Sequence, residues 1–271
     1  MLDTLDAAAL GHSLLGTRFA EGVRHFPSIG STNTSLLEAA AQGAPEGLVY
    51  IADEQTAGRG RGGHSWHSAP GNGLYVSALV KPTLPLRDAL LLSLGTGLAV
   101  QQAVQQATGV ALDIRWPNDL LIVQPDATTR KCGGILVETA VEPGADPMLR
   151  YAVIGIGINV HHAEFPPELA TLATSLRLAT SASLSRESIL LALLRALDLE
   201  LTRQETTADD HTALLERFAQ ASSWVRGKRV QVPEQGGYTG TTSGLDSRGF
   251  LLVTTDEGQQ RTVLSGGVRE L

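Results

Sequence analysis

The stretch LDIRWPNDLLIVQPDATTRKCGGILVETAVEPGADPMLRYAVIGIGIN, residues 112–159, decides the fold class. It holds four runs rich in aliphatic and β-branched residues: Leu112–Trp116, Asp119–Val123, Gly134–Ala140 and Tyr151–Ile158. Pro117-Asn118, Pro125-Asp126 and the segment EPGADP at 142–147 separate them, all turn-forming sequences. Strands that follow one another without crossover helices pair antiparallel, so this region predicts a largely antiparallel or mixed sheet.

Upstream, Val23–Phe26, Leu48–Asp53 and Leu74–Leu79 read as further strands. Between the first two, Ser31 or Thr32 caps a helix whose apolar face is Leu36, Leu37 and Ala40, and Gly43 sits where a left-handed terminal residue belongs. Leu86, Leu90, Leu94 and Leu98, with Val104 on roughly the same face, predict a long helix against the sheet. Gly95 and Gly97 inside it each cost about 1 kcal/mol relative to Ala, which argues for close packing. The segment before Gly22 is short and mildly helical. Residues 161–185 read as irregular, followed by one helix carrying Ile189, Leu190, Leu193, Leu197 and Leu201 and another over about 208–221. After Trp224 the texture changes to short runs split by Gly- and Asp-rich turns (Val230/Val232, Tyr238–Thr242, Phe250–Thr254, Arg261–Leu264, Val268–Leu271), the pattern of a small β-barrel. The expectation is an α+β protein of two domains, 1–223 and 224–271.

Bulk composition narrows the function. The 271 residues carry 21 basic and 28 acidic side chains, a net charge of −7, against the basic face that bulk nucleic-acid binding requires. A single cysteine, Cys132, rules out an internal disulfide and suits a reducing compartment. The N-terminus lacks basic residues before its apolar stretch, unlike a secretory signal, and no run of apolar residues is long enough to span a membrane. The expected location is the cytoplasm.

GRGRGGHSW at 58–66 carries the most chemistry. Its glycines let the backbone approach a ligand and turn N–H groups inward, Arg59 and Arg61 suit a carboxylate or phosphate, and Trp66 offers a flat face. A solvated surface loop and an RGG-type RNA contact are the competing readings; a Walker A loop is excluded because no Gly-Lys-Ser/Thr follows. RWPND at 115–119 presents Asn118, able to hydrogen-bond a ligand, and Asp119, able to touch a metal or fix a neighbour, at a turn where both types are common for local reasons. In RKCGGILVE at 130–138, Lys131 precedes a strand beginning Gly133-Gly134, and Cys132 reads as a small core residue. GIGIN at 155–159 lacks the helix of a dinucleotide fingerprint; its alternating glycines instead suggest a ligand or backbone pressed on one strand face, with Asn159 at the end. His161-His162 has no third ligand at a recognisable spacing and reads as solvated loop histidines.

The order of these motifs is far more specific than any one of them. STNT at 31–34, DEQTAGRGRGGHSW at 53–66, RWPNDLLI at 115–122, KCGGILVE at 131–138 and GIGINV at 155–160 together resemble the bacterial biotin–protein ligase family. RGKRVQV at 226–232, GTTSGLDSRGFLLV at 240–253 and VLSGGV at 263–268 resemble its SH3-like C-terminal domain, so the likeness spans about 23–271. The resemblance implies a class II synthetase-like catalytic domain that condenses biotin with ATP to biotinyl-5′-AMP and passes biotin to a lysine of a biotin carboxyl carrier domain of acetyl-CoA carboxylase or a related carboxylase. It assigns Ser31, Thr32, Asn33 and Gln55 to the ureido ring, and Arg59, Gly60 and Arg61 to the biotin carboxylate and phosphate. Lys131 would steady the charge between carboxyl group and α-phosphate, with Lys131, Arg59 and Arg61 as the catalytic set. Trp66 would flank adenine, Asn118 and Asn159 would contact the nucleotide, and Asp119 would neighbour a Mg²⁺ carried with ATP. His64 stands where relatives often have a further basic residue. The chain begins too near the catalytic core for a winged-helix domain, so the expectation is a ligase without DNA binding. Relatives can pair through sheet edges, which leaves a homodimer open. A lipoate- or octanoate-transferring relative is the nearest alternative.

Overall fold

The computed structural model describes residues 5–206, 211–233, 236–264 and 267–271. A short helix α1 (Ala7–Ser13), capped by Asp6, leads into β1 (Val23–Phe26). Then follow α2 (Thr32–Ala41), β2 (Val49–Ala52), β3 (Gly73–Val80), the long helix α3 (Leu90–Thr108), β4 (Asp113–Arg115), β5 (Asp119–Val123), β6 (Thr129–Val141) and β7 (Leu149–Asn159). These strands form one sheet in the order β1-β2-β3-β7-β6-β5-β4. Only β1 and β2 run parallel, with α2 as their crossover, so the sheet is mixed, as the turn spacing predicts. Leu86 lies outside α3, in a separate turn of 3₁₀ helix (Leu86–Asp88), its N–H tied to the Pro147 carbonyl at 2.8 Å.

Strand alternation sorts the sheet into two faces. Leu74, Val76, Ala78 and Val80 of β3, with Ala152, Ile154, Ile156 and Ile158 of β7, face the large core under α3 and α5 (Arg186–Thr206). Leu79 and Val153 face the other way and pack against Leu36 and Ala40 of α2. That second face continues through Tyr75, Ser77, Gly155 and Gly157, and it builds the site. The glycines of α3 are close-packing positions: a Cβ at Gly95 would fall 2.3 Å from the Gln204 amide, and one at Gly97 3.4 Å from Ile114.

Beyond the short helix α4 (Leu176–Ala179) and α5, helix α6 is described as Thr212–Ala221; residues 208–210 of its predicted span lie outside the described residues. Five strands follow, β8 (Arg226–Val232), β9 (Tyr238–Leu245), β10 (Leu251–Thr255), β11 (Gln260–Val263) and β12 (Arg269–Glu270), forming an antiparallel sheet in the order β11-β10-β9-β8-β12. Ser265 and Gly266 of the VLSGGV run lie outside the described residues. The small sheet shares one apolar core with the helices, and Trp116 Nε1 donates to the Gly249 carbonyl at 2.9 Å across the joint. Among the described residues no helix is long and apolar enough to cross a membrane.

Candidate active site

The site begins at the start of α2. Ser31 caps the helix by accepting from the Thr34 N–H, which places Thr32 and Asn33 in the first turn, buried against the sheet. Gln55, just past β2, accepts from the Thr32 N–H at 2.9 Å and lies 3.0 Å from Thr32 Oγ1, while its Nε2 donates to Ser68 Oγ at 3.1 Å. Ser77 of β3, fully buried, is hydrogen-bonded to Thr32 Oγ1 at 2.8 Å and donates to Asn33 Oδ1 at 2.6 Å. Asn33 Nδ2 donates to Glu138 Oε2 at 2.9 Å. A Cβ at Gly155 would lie 2.3 Å from Asn33 Oδ1, so glycine there is what admits Asn33 to the strand face.

Gly58–Trp66 folds as a narrow hairpin. Trp66 N–H donates to the Gly58 carbonyl at 2.9 Å, Gly60 N–H to that of His64 at 2.7 Å, and the tip turns through positive φ at Gly62 and Gly63. The Arg59 guanidinium donates to Glu138 Oε1 at 2.9 Å and to Thr34 Oγ1 at 3.3 Å. The Trp66 indole lies against Gly157, where a Cβ would come within 2.7 Å of the ring, and beside Gly134, the cross-strand partner of Gly157. Gly134 of KCGGILVE and Gly157 of GIGIN therefore form a flat seat for an aromatic ring.

Lys131 lies inside β6, which begins two residues earlier than its own position and not at Gly133 as expected. Alternation alone would put residues 131 and 134 on opposite faces. A β-bulge at Cys132 absorbs the extra residue, turning Lys131 onto the site face and Cys132 into the core. Burial pushes the Cys132 thiol up to about 12, so it stays protonated and unreactive. Lys131 Nζ lies 2.5 Å from Asp119 Oδ1 and 5.5 Å from the centre of the Trp66 ring.

Two cavities meet here. The first, about 450 Å³ with its open mouth, is lined by Ser31, Thr32, Asn33 and Gln55 at its polar end, by Arg59, Gly60 and Arg61 from the loop, and by Trp66, Asn118 and Lys131. Asn118 is held by a reciprocal pair: its Nδ2 donates to the Ile135 carbonyl at 2.9 Å and its own carbonyl accepts from Ile135 N–H at 3.0 Å. The second, about 1220 Å³, is lined by Asn159, Phe165, Leu169 and Arg115, and again by Trp66 and Lys131. Asn159 is mostly buried and spends its side-chain N–H on the Thr174 carbonyl at 3.0 Å, fixing the far wall. Among the described residues, Trp66 and Lys131 are the only side chains common to both cavities.

Asp119 fixes its neighbours: Oδ1 lies against Lys131 and Oδ2 accepts from Arg115 at 2.6 Å, and among the described residues no three His, Cys, Asp or Glu side chains gather as a metal group. Burial pushes its carboxyl up, but the charges of Lys131 and Arg115 outweigh this and hold it below the usual range. His162 is not solvated. It is 2% exposed, stacked on Phe165 with ring centroids 5.0 Å apart and tilted against His67 at 5.7 Å. Burial, then the neighbouring His67, pushes its imidazole down to about 4. The loop around it folds back onto the sheet, which local sequence does not announce.

Ser68, Ser77 and Glu138 were not singled out in the sequence. Glu138 lies on the same strand face as Gly134 and Leu136, and Ser77 on the same face as Tyr75 and Leu79, so counting by twos from the glycines would have found both.

A carboxylate in the first cavity and a phosphate in the second would meet beside an ammonium group and an arginine-bearing loop, which is the arrangement of a carboxylate-activating, nucleotide-using ligase. Residues 25–159 match the Biotin/lipoate A/B protein ligase family, and residues 226–268 match the Biotin protein ligase C terminal domain. The chain is 35% identical to the biotin–[acetyl-CoA-carboxylase] ligase of Mycobacterium tuberculosis over 97% of its own length and 94% of that protein. It is 36% identical to the bifunctional ligase/repressor BirA of Bacillus subtilis over 85% of its own length and 68% of that protein. The solved biotin protein ligase of Aquifex aeolicus in complex with biotin and ATP superimposes with a TM-score of 0.74 at 29% identity, covering 93% of this chain and all of that one. The chain belongs to the biotin protein ligase family.

Proposed function

We propose that this protein is a cytoplasmic ATP-dependent biotin–protein ligase. It joins the biotin carboxylate to the α-phosphate of ATP, releasing pyrophosphate, and transfers the biotinyl group from the resulting biotinyl-5′-AMP to a lysine of a biotin carboxyl carrier domain of acetyl-CoA carboxylase, releasing AMP. The observation that carries this reading is the shared wall of Trp66 and Lys131, because a bond between two substrates in adjoining cavities has to form where the cavities touch. Lys131 sits where the attacking carboxylate and the phosphoryl oxygens bring negative charge together, and fixed positive charge there lowers the barrier without solvent reorganisation. Arg59, Gly60 and Arg61 close over the same point. Trp66 and Asn159 bound the nucleotide side. Residues 1–223 form the catalytic unit, and 224–271 close the site or dock the carrier.

The polar end of the first cavity favours biotin over lipoate or octanoate. Ser31, Thr32, Asn33 and Ser77, all buried, and the half-buried Gln55 present hydrogen-bonding groups at that end. A ureido ring can add hydrogen bonds to the free acceptor and donor capacity of these groups, whereas the apolar end of a fatty or dithiolane chain would take them out of water and add none. Incubation with Mg-ATP, biotin and a carboxylase carrier domain, followed by mass spectrometry of the carrier, tests this. One biotin amide per carrier, with no product from lipoate, is the expected result. An unmodified competent carrier with no biotin-dependent pyrophosphate release would refute the assignment.

A further inference from the structure

A chain of hydrogen bonds encircles the first cavity, and both its ends lie on the glycine–arginine loop. Ser68 Oγ donates to the Trp66 carbonyl at 3.2 Å and accepts from Gln55 Nε2 at 3.1 Å. Gln55 Oε1 accepts from the Thr32 N–H at 2.9 Å, and Thr32 Oγ1 is bonded to Ser77 at 2.8 Å. Ser77 donates to Asn33 at 2.6 Å, Asn33 to Glu138 at 2.9 Å, and Arg59 closes the circuit onto Glu138 at 2.9 Å. The inner members are dry: Thr32, Asn33 and Ser77 are no more than 4% exposed. In such surroundings a change at one link is felt at the next.

Glu138 is the hinge of this circuit. It is the one carboxylate in it, and its two oxygens take donors from different parts of the site: Asn33 from the cavity floor and Arg59 from the loop. It does not itself line the cavity. A surface ion pair of this kind contributes little by itself. This one differs because its carboxylate also holds a buried amide that faces the ligand. We infer that Glu138 is a positioning residue: it ties the Arg59 limb of the loop to Asn33, so that filling the polar end of the cavity fixes the loop over the activated intermediate. The inference rests on the reading of this cavity as the biotin pocket.

The test is a double-mutant cycle of Glu138→Gln and Arg59→Gln, with Gln55→Ala as a control on the pocket. Glutamine at 138 keeps an acceptor for Asn33 and removes the charge that holds Arg59. The expected result for E138Q is an unchanged melting temperature and KM for biotin within about threefold of wild type, but release of preformed biotinyl-5′-AMP faster by ~10-fold, within the range of couplings between directly paired residues. The E138Q/R59Q double variant should release the intermediate no faster than R59Q alone. A purely structural role for Glu138 would lower the melting temperature and leave the release rate unmoved, and would overturn the inference, as would additive effects in the cycle. If Q55A bound biotin as tightly as wild type, the pocket assignment itself would fall and the inference with it. If Q55A lost biotin while E138Q retained the intermediate normally, only the role of Glu138 would fall.

Discussion

The two cavities that meet at Lys131 are built by opposite means. The acid side draws its polar groups from α2, β3 and β6, with Gln55 joining them from just past β2, each bonded to the next, so its shape is set largely when the sheet folds. The nucleotide side draws its far wall from residues 161–173, an irregular segment stacked through Phe165 and His162, whose ring nitrogens have no hydrogen-bond partner of good geometry among the described residues. One side selects by preplaced donors and acceptors, the other by packing and stacking. The contrast implies that the acid side should be intolerant of any change in its strands. The nucleotide side should yield to changes that loosen a loop.

The largest effect should come where the two sides touch. Lys131→Ala removes what is, among the described residues, the one cation common to both cavities, and takes away one of the two ion-pair partners of Asp119. Biotin-dependent pyrophosphate release should drop by ~10²–10³-fold, the scale for losing a charge-stabilising group. Near-normal release would mean that the cavities do not meet at this residue.

The glycines of β7 separate the two sides more finely. Gly155→Ala drives a methyl group into Asn33, and Gly157→Ala drives one into the Trp66 ring. Overpacking of this kind costs roughly 1–3 kcal/mol. Calorimetry should therefore show weaker biotin binding in G155A with nucleotide affinity nearly intact, and weaker binding of both ligands in G157A, because Trp66 walls both cavities. Equal loss of both ligands in both variants would erase the distinction between the cavities.

How much of this was legible in the sequence follows the range of the interactions. Strand alternation and turn residues located the sheet, and the small sheet was visible from its spacing of Gly and Asp. The face of Lys131 was not, because alternation counted back from Gly134 points it into the core and only the bulge at Cys132 reverses that. Asp119 beside the Pro-Asn turn left two roles open, touching a metal or fixing a neighbour. The same turn makes Arg115 its cross-strand partner, so pairing the two strands on paper would have revealed the ion pair. His162 was beyond reach, since its burial depends on its loop folding back so that His67 meets it from a distant segment.

That buried imidazole gives the nucleotide side a pH signature. The folded protein favours neutral His162, whereas the unfolded chain binds a proton near pH 6.5. Between that value and about 4 the unfolded state holds more protons, so stability falls as pH is lowered through the window. From pH 7.5 to pH 5 this residue should cost about 2 kcal/mol of unfolding free energy. His162→Gln should flatten the urea midpoints over that interval. A variant whose pH dependence matched wild type would show that the imidazole is not held neutral.

The smallest expected effect lies away from both cavities, at the joint between the two sheets. Trp116→Phe keeps most of the buried ring and removes the N–H that satisfies the Gly249 carbonyl. Losing one such bond costs about 1 kcal/mol, which in a protein of this size lowers the melting temperature by about 2–4 °C. Gly249 has a left-handed φ of +85°, and a Cβ there would fall 2.7 Å from Leu94, so the turn has little freedom to relax toward a new donor. Because the acid cavity hangs on α2, β3, β6 and β7 and not on this joint, biotin affinity in W116F should equal that of wild type. A parallel loss of biotin affinity would show that the small sheet helps hold the acid cavity in shape, and the division between a sheet-built acid side and a loop-built nucleotide side would have to include the C-terminal strands.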